Sequence, residues 1–78
     1  MINRSLTGAQ RLCLQFIERH IAEVGMAPTL REIQTGLNYA SVTSAADHVQ
    51  TLADKGCISY LPGKARSIRI STSQENAA

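Results

Sequence analysis

The chain has no tryptophan, one phenylalanine and two tyrosines, so the core it builds must be aliphatic. Its two cysteines, Cys13 and Cys57, stand far apart and form no C-x-x-C. That leaves no local zinc-ligand pair. Both lie in apolar surroundings, where a free thiol behaves as a small buried hydrophobe. No disulfide is expected, and a reducing cytoplasm is the default location. No apolar run approaches the ~20 residues that cross a membrane. Ile2-Asn3-Arg4 leads into no apolar stretch of the secretory kind. There is no glycine-rich phosphate loop and no catalytic carboxylate pair. Cys13, His20, His48 and Cys57 are the only metal or nucleophile reading. They lack ligand spacing, and Cys13 falls on an apolar helix face. The expectation is a protein that is not an enzyme and takes no metal or cofactor.

Acidic residues are also missing from positions 55–69, which carry Lys55, Lys64, Arg66 and Arg69. The earlier part of the chain mixes both signs. A basic segment at one end of a small domain suits an anion-binding face, or else simply a solvated hairpin. The whole chain has 78 residues, 44% of them hydrophobic, and a formal charge of +2. That is one small globular domain with a modest core.

Three helices are expected. The first, over about 7–24, opens on the capping box Thr7-x-x-Gln10. Leu12, Cys13, Phe16, Ile17, Ile21 and Val24 form its apolar face, and Gly25 ends it. Pro28 keeps Ala27 extended. A second box, Thr29-x-x-Glu32, starts a helix over about 30–37 with Leu30, Ile33 and Leu37 inward. After Asn38-Tyr39-Ala40, Ser41 caps a third helix over about 42–55, stopped by Gly56. Two short capped helices joined so closely make a helix-turn-helix. The period then changes. Ile58 and Tyr60 alternate with Ser59, Ile68 and Ile70 alternate with Arg69, and Pro62-Gly63 lies between. That is a hairpin with a basic tip. The fold class is therefore mainly α with a small β-hairpin, a three-helix winged helix-turn-helix over residues 1–71. Residues 72–78 read as a flexible tail.

On the third helix Val42, Ala45, Ala46, Val49, Leu52 and Ala53 make the inward stripe. Thr43, Ser44, Asp47, Gln50, Thr51 and Asp54 face outward, with His48 on the flank. Short hydrogen-bonding side chains near a helix N-terminus suit base edges in a major groove. A polar outside is also what any amphipathic helix has. Asp47 and Asp54 repel phosphate, so backbone affinity would fall to Lys64, Arg66 and Arg69, to Arg31, and to Thr29 at the second helix N-terminus.

GMAPTLREI (25–33), LADKGCI (52–58) and GKARSIRI (63–70) resemble the LexA family of SOS-response repressors. The similarity runs without a gap over 6–70. It implies a winged helix-turn-helix that binds operator DNA through the third helix and the wing. By position it assigns Ser41, Thr43, Ser44, Ala46 and Asp47 to base reading. Departures fall there: the family typically has Asn at Thr43, Ala at Ser44 and glutamates at Ala46 and Asp47. A site other than the usual SOS operator is therefore expected. Ser67 replaces the family's wing glycine. The family's serine–lysine self-cleavage and dimerisation domain has no counterpart in these 78 residues, so self-cleavage is not expected. The partners implied are double-stranded DNA, with a homodimer or partner protein on it, and no membrane. The alternative is a winged-helix protein-interaction module, or a regulator of a larger repressor, docking through the hairpin or the outer face of the third helix.

Overall fold

Local capping chemistry decides where each helix begins, and the computed structural model, which describes residues 6–71, shows it in place. Helix α1 is Gly8–Val24, α2 is Leu30–Leu37 and α3 is Val42–Asp54. At α1, Thr7 Oγ1 accepts the Gln10 amide at 3.1 Å and Gln10 Oε1 accepts the Thr7 amide at 3.0 Å. At α2, Thr29 and Glu32 make the same reciprocal pair at 3.1 and 2.9 Å. Ser41 Oγ accepts the Ser44 amide at the start of α3. Each cap satisfies a helix-end donor and is worth about 1 kcal/mol.

The helix ends are equally local. Asn38 takes a left-handed backbone, φ 61°, after α2. The Tyr39 amide reaches back to Gln34 O and the Asn38 amide to Thr35 O. This is the paired-bond stop usually built on glycine, which asparagine tolerates better than most residues. The same closure ends α3, with Gly56 at φ 80° and the Cys57 amide on Leu52 O. Gly36 has a different reason. A Cβ there would run into the Phe16 ring unless that ring moved, so glycine lets α2 and the Phe16 side chain of α1 meet closely.

Two short strands follow, β1 (Ile58–Ser59) and β2 (Arg69–Ile70). They pair antiparallel, Ile58 opposite Ile70 and Ser59 opposite Arg69. The alternating runs suggested longer strands. Tyr60 and Ile68 instead belong to the connection, where Leu61 O accepts the Lys64 amide across Pro62-Gly63, a type II turn with Gly63 at φ 85°. Ser67 closes this loop. Its hydroxyl donates to Leu61 O at 3.0 Å and accepts the Leu61 amide at 3.1 Å.

The core is aliphatic, as expected. Cys13, Ile17, Ile33, Ala45, Val49 and Leu52 are fully buried, and Ile58 and Ile68 close it from the hairpin. Helix α1 differs from expectation in two places. Leu12 is 59% exposed and Val24 56% exposed. The buried face centres on Cys13 and Ile17 and takes in Leu14, whereas Leu12 sits well over 90° away from that centre at about 100° per residue. Val24 points the right way but lies in the last turn, past the end of the core. Cys13 and Cys57 are free and buried. Desolvation pushes the Cys13 thiol up, against a smaller lowering by a hydrogen bond from Tyr39. Among the described residues no helix is long and apolar enough to cross a membrane. The tail expected at 72–78 lies outside the described residues.

Candidate nucleic-acid interface

Helix α3 turns one stripe to the core and leaves its outer side to solvent. Ala45, Val49 and Leu52 are buried, while Val42 and Ala46 lie half-buried at the margins. Thr43 and Asp47 are exposed and Ser44 half-buried. The outer side divides into two halves. In the C-terminal half the polar groups bond to the helix itself: Gln50 Nε2 donates to Asp54 at 3.1 Å, and Thr51 Oγ1 donates to Asp47 O at 2.9 Å. In the N-terminal half the side chains of Thr43 and Asp47 make no hydrogen bond to any described residue. Ser41 and Ser44 share a 3.4 Å hydroxyl contact at the cap. Four of the five positions assigned to base reading therefore present at least one hydroxyl or carboxylate on one end of one helix. Ala46 adds only a methyl group.

The flank is held by a stacked pair. His48 lies over Tyr39, ring centroids 4.7 Å apart and 14° from parallel. The His48 Nδ1–H donates to Ser44 O at 2.9 Å, since a carbonyl can only accept. Tyr39 in turn stands beside Cys13. Burial first, then the charge and hydrogen bond of Cys13, push its phenol up to about 12. The turn between α2 and α3 is thus tied both to α3 and to the core.

The backbone-contact residues fall into separate places. Thr29, Lys64 and Arg66 line one cleft of about 210 Å³ between the start of α2 and the wing loop. Arg69 lies on the outward side of β2 and lines a wider groove with Ile21, Gly25 and Met26, on the side of α1, and Arg66 lines both that groove and the cleft. Arg31 is exposed on the first turn of α2. Arg31, Lys64 and Arg69 have no ion-pair partner among the described residues.

Arg66 does have one. Its guanidinium bonds both carboxylate oxygens of Glu32 at 3.1 Å and the Ala27 carbonyl at 2.9 Å. Its backbone is left-handed, φ 56°, which costs a side-chain-bearing residue about 1 kcal/mol. Glu32 also accepts the Thr29 amide, and its carboxyl is held below the usual carboxylate range, first by Arg66 and then by Thr29. His20 completes the corner. Its Nδ1–H donates to Met26 O at 2.9 Å, and its Nε2 lies 3.6 Å from Glu32. Glu32 had a sequence signal only as a cap. Nothing local announced a partner 34 positions away.

The comparisons with known proteins agree on one family. A family model described as the LexA DNA binding domain matches residues 3–67. The chain is 45% identical over 73 residues to the LexA repressor of Shewanella oneidensis and equally to that of Shewanella sp. strain ANA-3, in each case covering 94% of this chain. It is 46% identical over 74 residues to the LexA repressor of Shewanella denitrificans. It spans 35% of the length of each of these relatives.

Proposed function

The chain belongs to the LexA DNA-binding domain family, and from that premise we propose that it binds double-stranded DNA as a sequence-reading transcriptional repressor module. The N-terminal half of α3 enters the major groove, with Ser41, Thr43, Ser44, Ala46 and Asp47 against base edges. Thr29, Arg31, Lys64 and Arg69 hold the backbone on either side. The observation that carries this reading is the divided outer face of α3. Thr43 and Asp47 are exposed and make no bond within the described chain, whereas Gln50 and Thr51 further along are already satisfied. Thr and Ser hydroxyls bond several bases, and a carboxylate accepts from the cytosine amine.

Three cations free of ion pairs predict a log–log salt slope of about −3. That is modest grip, and one module covers only about 600–1,000 Å² of DNA. High specificity then calls for a second copy or a partner protein on neighbouring DNA. The test is selection from randomised duplexes at about 100 mM salt. An enriched motif is the expected outcome, and two inverted half-sites within it would report a dimer. D47N and S44A should each change which sites are enriched; variants that only weaken binding at unchanged sites would remove α3 as the reader. A second reading draws on Asp47 and Asp54, both exposed on α3. They suit a basic partner protein, and failure of any duplex to be retained would favour it.

A further inference from the structure

Taking the DNA-binding reading as its basis, we propose that Arg66 is the positioning residue of the wing and not one of its phosphate contacts. A cation kept for phosphate needs free N–H groups. Arg66 spends three of its five N–H donors inside the molecule, two of them the parallel fork that matches a carboxylate best, so the face a phosphate would take bidentately is already occupied by Glu32. The bonds reach across 34 and 39 positions, to α2 and to the link before it. They tie the wing loop to the two elements that frame the cleft on the opposite side. Among the described residues, the other hydrogen bonds of 61–67 close the loop on itself, through Lys64 and Ser67 to Leu61.

The left-handed backbone at Arg66 points the same way. Charge alone could be supplied from an unstrained position. A strained one persists where surrounding bonds over-determine it. The second role is electrostatic. Glu32 is the only acid in the first turn of α2, the helix end offered to a phosphate. Left alone it would repel that phosphate. Paired with Arg66 it does not, and it can keep its capping bond to Thr29. The pair thus sets the distance between Lys64 and Thr29 across the cleft and neutralises the carboxylate beside it.

The test uses the full chain and a fluorescein-labelled pool of randomised duplexes about 20 base pairs long, read by anisotropy between about 50 and 200 mM NaCl. K64Q calibrates it, because loss of one phosphate contact should flatten the slope by about 0.9. The double variant E32Q/R66Q keeps the net charge, and its glutamine oxygen can still accept the Thr29 amide. It should keep the wild-type slope, bind about threefold more weakly, and exchange its Leu61 and Lys64 amides faster, the two that are hydrogen-bonded within the wing loop. R66Q alone should bind more weakly than the double variant, because it leaves Glu32 unpaired before the phosphate. A double-variant slope as flat as that of K64Q would overturn the proposal by making Arg66 a phosphate contact. So would wing amides that exchange at the wild-type rate. If the wild-type chain binds no duplex at any salt, the DNA-binding reading has failed, and the exchange rates alone decide whether Arg66 holds the wing.

Discussion

Two helix starts in this domain are built from similar residues and end in opposite states. At the start of α2, Thr29, Glu32, Arg66 and His20 form one connected set in which every side chain has an internal partner. At the start of α3, Ser41 is spent on the cap, and Thr43 and Asp47 are left to solvent. The difference teaches that polarity alone does not mark a binding surface. A threonine and a carboxylate at one helix end hold the scaffold together. A threonine and a carboxylate on the next helix hold nothing, and their hydrogen-bonding capacity remains for a ligand. What separates them is bonding, and bonding depends on which elements the fold brings alongside.

The contrast can be broken most severely from beneath. Ile33 is fully buried in α2 and supports both corners. I33A should cost about 2–5 kcal/mol. In so small a domain that is enough to lose both surfaces together, seen as collapse of the cooperative urea transition. Next comes the bonded corner itself. T29A removes the hydroxyl that accepts the Glu32 amide, while the backbone amide that Glu32 caps remains, and should lower unfolding free energy by about 1–2 kcal/mol. Acid should act on the same corner. The Glu32 carboxyl titrates lower folded than unfolded, so its contribution is complete above about pH 4.3 and is lost as pH falls through the folded value. E32Q should flatten the stability–pH curve in that acid window.

The turn between the corners should respond at the other end of the scale. Tyr39 is pushed up to about 12, so the unfolded chain releases this proton first. The Tyr39 contribution should begin to fall near pH 10 and be lost by the folded value, and Y39F should reduce the alkaline slope in a pH series of melts, leaving the part due to the raised Cys13 thiol. The smallest effect belongs to the unbonded corner. T43A should change stability by less than about 0.5 kcal/mol while altering site preference in the duplex selection. A large loss of stability in T43A would erase the contrast.

What could be read from the residues alone follows the same division. Helix starts and stops were legible because Thr7, Thr29, Ser41, Gly25 and Gly56 act within a few positions of themselves. The inward stripe of α3 was legible because its period is local. The α1 face was misplaced at Leu12, since apolar character does not say which neighbour a flank will meet, and Leu14 was the one that met the core. The strands came out short because the type II turn and Ser67 claim the residues nearest the tip. At the candidate site the outward polar residues of α3 could be named from the helix, and the five positions proposed for base reading came from the family resemblance. The engagement of Arg66 could not, because its charge looks the same in sequence whether it faces solvent or Glu32. The close contact of Gly36 with Phe16 likewise exists only once two helices have been packed.

The closure at the end of α3 has a consequence for how tightly such a domain can hold anything. Leu52 O takes the Cys57 amide, and Cys57 leads directly into Ile58 of β1. Helix and wing are therefore joined with no slack, and both ends of the join are buried. A ligand that touches α3 and the wing at once finds their relative orientation already set. Little chain entropy remains to be lost on association, so more of each contact can survive as affinity.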